Sequence, residues 1–245
     1  ANGYQYYIST SSTPPTAATT PTGTSATNSV TLNTLTSSTT YFWWVRAVCS
    51  GTDSSTWSAG PSFNTTQIPA TLPYTQGFNT ANDFALVNGT QTNKWFYGTA
   101  FGNPGGSLYI SDNNGTTNSY TINSTSVVQA YRDFAIPAGT TAASPAILSF
   151  DWRAAGESSF DYIRVWLVPT TFTPTAGTQI AAGAGRIQVG GNLNQQSGWQ
   201  NYINTNVNLA SFAGTTMRLV FEWRNDGSGG TQPPASIDNI NLQIP

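Results

Sequence analysis

The sequence predicts an all-β protein, with an incomplete sandwich over residues 1–66 and a larger jelly-roll β-sandwich over residues 67–245. Three observations predict it. Thr, Ser, Asn, Gly and aromatic residues dominate, with eight Trp, eleven Tyr and twelve Phe, whereas Lys occurs only as Lys94 and Glu only as Glu157 and Glu222. That usage favours strands and turns over helices. Apolar residues recur at period two in one short run after another, and no segment holds helical periodicity over three turns. Gly, Pro, Asn and Asp clusters separate the runs.

Tyr4, Tyr6 and Ile8 alternate with polar or mixed positions directly after Asn2-Gly3, a strand leaving a turn. Residues 10–27 are rich in Ser, Thr, Pro and Ala and lack periodicity, as a linker or a long loop would; the strand signals that follow favour the loop. Val30 and Leu32 alternate, Tyr41 opens a strongly apolar strand to Val48, and Trp57 and the Pro61–Thr65 stretch read as a last strand. The Leu35-to-Tyr41 spacing, the Tyr41–Ala47 run and the ending from Trp57 to Thr66 together resemble the C-terminal part of a fibronectin type III domain. The resemblance implies that Tyr41 packs a corner between strands, its hydroxyl bonded to nearby backbone. It also implies that two strands are missing, so the chain reads as a piece of a longer protein. Their absence would expose an apolar sheet face and an edge, making residues 1–66 a surface for a strand-completing partner. Cys49 is either the partner of a cysteine elsewhere or a buried free thiol.

Thr65–Ala70 is a polar, Pro-containing junction. Beyond it, strands are predicted at Tyr74–Phe78, Trp95–Tyr97, Ser107–Ser111, Ser126–Ile136 and Ile147–Arg153, the last with Leu148, Phe150 and Trp152 inward. Tyr162–Val168 is apolar on both faces, as a central strand is. Ile203–Leu209, Met217–Arg224 and Ile237–Ile244 complete the set. So many strands with an apolar face can all be buried only against a facing sheet. The stretches Leu72–Phe78, Ser107–Ser111, Ala130–Asp133, Leu148–Trp152, Asp161–Val165, Leu219–Asp226 and Ile237–Ile240 resemble, in this order, the cleaved-adhesin or choice-of-anchor J domains of Bacteroidota surface proteins, which are jelly rolls related to MAM domains. That resemblance implies a secreted or cell-surface location, export by the type IX route, and a role in adhesion or as a modular stalk.

Composition excludes several chemistries. Charged residues are 7% of the chain and the net charge is −2, which leaves neither a nucleic-acid footprint nor a polybasic membrane anchor, and no apolar run is long enough for a spanning helix. Histidine is absent and cysteine single, so His-based catalysis and Cys or His metal sites are gone. A Glu157–Asp161 pair of the kind a glycosidase needs reads instead as a solvated loop before a strand. The expectation is a non-enzymatic module: with the resemblance, a fragment of a large secreted or cell-surface adhesin in the first place, and as the alternative a carbohydrate-binding accessory module of a secreted polysaccharide-degrading enzyme.

Two sets of residues stand out. Asp238 shares strand parity with Ile240, Leu242 and Ile244, and Asp161 with Ile163, Val165 and Leu167; an inward carboxylate needs a cation or hydrogen-bond donors. The family resemblance implies a structural calcium ion near the first strand and the last, with Asn79 in place of an acid. Arg224 or Arg132 as partner of Asp238 is the alternative. For a surface glycan or a neighbouring protein module, the candidates are Trp95, Tyr97, Trp166 and Trp199, with Tyr162, Arg164 and Trp166 aligned on one strand face; the competing reading is that these rings are core.

Overall fold

The computed structural model describes residues 2–51 and 53–245. The chain divides into two units, the first ending at Ile68 and the second spanning Pro69–Pro245. The division falls inside the Thr65–Ala70 junction, two residues beyond the 66/67 boundary read from the sequence.

In the first unit the strands are β1 (Tyr4–Ser9), β2 (Gly23–Ser25), β3 (Thr40–Ala47), β4 (Ser58–Ala59) and β5 (Phe63–Asn64). They form one antiparallel sheet in the order β2-β1-β3-β4, with β5 also on β3. Residues 28–35 belong to no strand, although Val30 and Leu32 alternate. The register pairs Tyr6 with Val45 and Ile8 with Trp43 on one face, and Gln5 with Arg46 and Tyr7 with Trp44 on the other. The second face closes on itself: Tyr7 packs against Trp44 and Trp57, and the Arg46 guanidinium lies 4.4 Å over the Trp57 ring. The Thr36 N–H donates to the Tyr41 hydroxyl at 3.0 Å, tying the turn to β3. Cys49 is exposed and unbridged, not a buried thiol.

The second unit contains β6 (Tyr74–Gln76), β7 (Ala85–Val87), β8 (Lys94–Gly98), β9 (Ser107–Ser111), β10 (Ser126–Ala135), β11 (Ala146–Ala154), β12 (Tyr162–Pro169), β13 (Ile187–Gln188), β14 (Gln196–Val207), β15 (Thr216–Asn225) and β16 (Ser236–Gln243). Among the described residues the only helical element is one 3-10 turn, Ala210–Phe212. Two antiparallel sheets face each other, one ordered β13-β12-β15-β10-β7 and the other β14-β11-β16-β9-β8 with β6 also on β16. Leu148 and Phe150 of β11 and Met217, Leu219, Phe221 and Trp223 of β15 turn into one buried core; the Phe150 and Phe221 rings meet edge-on at 5.1 Å. The fold is all-β, with a β-sandwich as its larger part.

The two faces of β12 are both covered, and the strand lies between β13 and β15 in its sheet. Its inner face joins the core, and its outer face lies under residues 170–186. There Trp166, Val168, Val220 and Ile180 form a second, smaller apolar cluster. Both-sided apolarity therefore reports a roofed sheet face here.

Candidate functional site

A groove of about 350 Å³ opens at the edge of the sandwich, beside β14. Its apolar lining is Leu193, Tyr202 and the edge of the largely buried Trp152, and Tyr202 stacks on Phe150 with ring centroids 4.9 Å apart. Carboxamides form the walls: Asn192, Asn194 and Gln196 from the chain leading into β14, and Gln200 and Asn201 from β14 itself.

The backbone that carries these amides is pinned. Leu193 exchanges both backbone hydrogen bonds with Ile163 at 2.9 Å, and the Gln195 N–H donates to Ala155 at 2.7 Å. Asn194 donates its Nδ2 to the carbonyls of Glu157 and Asp161 at 2.8 and 2.9 Å. Gln195 takes a φ of 59° to make the turn, a region that costs a non-glycine residue. Asn192 and Gln196 are exposed and make no side-chain hydrogen bond to the described residues, so their donors and acceptors face solvent. No charged side chain lines the groove.

The residues singled out from the sequence lie elsewhere. Tyr162, Arg164 and Trp166 do share the outer face of β12, but the 170–186 segment roofs them. Gln179 donates to the Tyr162 hydroxyl at 2.9 Å, the Ile180 N–H donates to Glu222 at 2.7 Å, and Gln129 donates to the Thr178 carbonyl at 2.9 Å. Trp166 is only 2% exposed, so no ring face is left for a sugar. Trp95 is core as well. Trp199 lies on the outer side of β14, its ring stacked on Phe101 at 5.6 Å, while the Arg153 guanidinium covers Phe101. Burial pulls the Arg153 pKa down to about 10. None of Trp95, Tyr97, Tyr162, Arg164, Trp166 and Trp199 lines the groove.

The three expected metal ligands fall into two places. Asp161 is buried at the start of β12, accepts the Tyr120 hydroxyl at 2.7 Å and the Asp226 N–H at 3.2 Å, and is held above the ordinary carboxylate range mainly by burial. Asp238 is on β16, and its parity differs from the expectation. The β11–β16 register pairs Asp151 with Asp238 and Ser149 with Asn241, one residue more on β16 than on β11. The bulge falls at Asn239, whose φ is 48°. It lets Ile237, Ile240 and Leu242 all enter the core while Asp238 turns outward beside Asp151.

Asp238 is still fully buried, because the loop before β9 closes over it. Its oxygens accept the N–H groups of Asn103 at 2.8 Å and Asn239 at 2.7 Å. Asp151 accepts three carboxamides, from Asn103, Asn201 and Asn239, at 2.8–3.0 Å. Arg132 pairs with Asp83 and Arg224 reaches the Phe160 carbonyl, so neither expected arginine reaches Asp238. Asn79 is exposed, its side chain abutting Gly77 and Gly105. Calcium requires a shell of oxygen ligands, whereas N–H donors surround both carboxylates. As arranged, these residues do not fit a calcium ion, and among the described residues no three acidic, histidine or cysteine side chains are grouped to hold a metal.

No protein-family model matches the chain, and no curated protein matches it. Among solved structures it is similar to several carbohydrate-binding modules. TmCBM61, solved with β-1,4-galactotriose, is 9% identical with a TM-score of 0.39, over 69% of this chain and 95% of that one. The CBM22-1 xylan-binding domain of Paenibacillus barcinonensis Xyn10C is 11% identical with a TM-score of 0.40, over 70% and 92%. A carbohydrate-binding module of the β-sandwich superfamily is 10% identical with a TM-score of 0.42, over 98% and 84%. At such scores no residue correspondence is transferred, and the groove is assigned from its own geometry.

Proposed function

We propose that the chain is a non-catalytic carbohydrate-binding module of a secreted or cell-surface protein, and that the groove beside β14 holds a neutral glycan. The observation that carries this reading is the lining: five carboxamides beside Leu193, Tyr202 and the edge of Trp152, with no charge. A carboxamide donates and accepts at once, which suits hydroxyls that do both, and apolar side chains suit the apolar faces of sugar rings. Hydrolysis of a glycosidic bond takes two flanking carboxylates, and this groove is lined by none. The absence of a cation at its walls disfavours uronates and sulfated chains, whose anions call for Arg or Lys. A stalk or filament unit has no need of a pinned, amide-lined groove, which favours carbohydrate binding over a purely structural role.

The test is affinity electrophoresis and titration calorimetry of the whole chain against β-1,4-galactan, xylan and mannan, with polygalacturonate as the charged control. Binding to at least one neutral polymer and none to the polyuronate is expected. Asn192→Ala or Gln200→Ala should each weaken it about tenfold, the worth of one good hydrogen bond, and both residues are exposed, so folding is unaffected. Trp166→Phe should leave affinity unchanged. Preference for the polyuronate, or binding that survives both amide replacements, would overturn the assignment.

A further inference from the structure

The five carboxamides of the groove beside β14 are not equivalent. Asn194 commits its Nδ2 to the carbonyls of Glu157 and Asp161 at 2.8 and 2.9 Å. Asn201 commits its Nδ2 to the Asp151 carboxylate at 2.8 Å. Carbonyls and carboxylates only accept, so neither amide can turn over without setting oxygen against oxygen. What each has left for the groove is its Oδ1, which accepts no hydrogen bond from a described residue and is open to solvent. Gln200 turns its Nε2 back on the carbonyls of Gly198 and Trp199 at 3.4 and 3.0 Å, which leaves its Oε1 free as well.

Two acceptor oxygens are thus held in place, and a third sits on the more exposed Gln200. The Asp151 charge behind Asn201 polarises that amide and makes its oxygen a better acceptor. The other polar groups of the lining, on Asn192, Gln196 and Tyr202, both donate and accept. A sugar hydroxyl meets this set only halfway, because it brings an acceptor with each donor. An acetamido substituent meets every part of it. Its N–H donates without accepting, which suits the fixed oxygens. Its carbonyl accepts, which suits the N–H groups of Asn192 and Gln196. Its methyl is apolar, and Leu193, Tyr202 and the edge of Trp152 offer it a place out of water. It is also uncharged, as the lining is. A free amine brings N–H groups too, but it lacks the carbonyl and the methyl, and its charge finds no carboxylate in the lining.

We propose that the groove selects N-acetylated amino sugars, an inference that rests on its being a glycan site. The acetamido N–H donates to the fixed oxygen of Asn194 or Asn201, its carbonyl accepts from Asn192 or Gln196, and its methyl lies against Leu193 and Tyr202. Asp151 is a positioning residue here: it touches no ligand and holds Asn201 with its oxygen outward.

The test is titration calorimetry of the whole chain, in EDTA, against three β-1,4-linked trimers that differ only at the second carbon: those of N-acetylglucosamine, glucose and glucosamine. The methyl glycosides of N-acetylgalactosamine and galactose repeat the comparison in a second configuration. In at least one configuration the acetamido ligand should bind about tenfold tighter than its hydroxyl counterpart, or more, the worth of one well-made hydrogen bond. The glucosamine trimer should bind no more tightly than the acetylated one. Asn201→Ala, which leaves Asp151 the carboxamides of Asn103 and Asn239, should weaken acetamido binding about tenfold. Three results would overturn the proposal: no acetamido preference in either configuration, tightest binding by the glucosamine trimer, or acetamido binding that survives both Asn201→Ala and Gln200→Ala. Binding of galactan, xylan or mannan without that preference would leave the glycan site standing and remove this inference alone, whereas binding of no sugar at all would remove both.

Discussion

Asp151 and Asp238 are direct cross-strand neighbours, a position in which like charges repel. Burial, with Asp151 adding to it, pushes the Asp238 pKa from 3.8 up to about 6 even though two N–H donors oppose the shift. Between those values the folded chain holds the proton more tightly than the unfolded one. Stability therefore falls as pH rises from about 4 to about 6, and the loss, on the order of 2–3 kcal/mol, is complete above that. Asp238→Asn should accordingly raise the urea midpoint at pH 7.5 and leave it unchanged at pH 4, measured in EDTA; a lower midpoint at pH 7.5 would show that the charge is held by an unseen partner. Because N–H donors already face both carboxylates, millimolar calcium should not move the wild-type midpoint. Period-two parity placed Asp161 correctly, since β12 runs without interruption from it. It misplaced Asp238, because the bulge at the next residue reverses which face the carboxylate joins. Nothing in the Ile-Asp-Asn-Ile string distinguishes a bulged strand from a regular one.

That bulge is an element-level device. It turns β16 so that Ile237 and Ile240 both reach the core, and its cost is concentrated at Asn239, with φ 48°. Asn tolerates this region and a β-branched residue does not. Its Nδ2 also donates to the Asn103 carbonyl at 2.7 Å and to Asp151 at 2.9 Å. Asn239→Val adds backbone strain to the lost hydrogen bonds and should cost about 2–4 kcal/mol, whereas Asn239→Gly loses only the hydrogen bonds and should cost about 1–2. The comparison of the two unfolding midpoints is the check, and equal costs would mean that φ is not what Asn239 supplies. Other elements differ in how plainly they were written. β9, β11 and β15 follow from alternating large apolar residues whose inner face is core. β14 begins at Gln196, earlier than its apolar pattern, because its first half is an edge of exposed amides and small residues in which the half-buried Trp199 is the only large apolar side chain. The 170–186 segment carries only Phe172 and Ile180 as large apolar residues, too sparse a pattern to reveal that it roofs a sheet.

At the scale of the molecule, the all-β class and the sandwich of the larger unit followed from strand count, but the groove did not. Its lining joins Trp152 of β11 to residues from Asn192 to Tyr202, and the surface amides among them look like ordinary loop residues until Leu193 is seen clipped to β12. The two units also differ in how much they bury. The second has an aromatic and aliphatic core between two sheets; the first has a single sheet with Tyr41 and Trp44 as its buried large apolar residues. Local stability tracks buried apolar contacts, so the first unit should open at lower free energy. In native-state hydrogen exchange under low urea, the amides of Tyr4–Ser9 and Thr40–Ala47 should exchange well before those of Ser126–Ala135 and Thr216–Asn225, although all four are hydrogen-bonded strands. If β1 and β3 are instead as protected as β10 and β15, the stability of the first unit is not set by the few apolar side chains it buries, and the argument from burial fails for it.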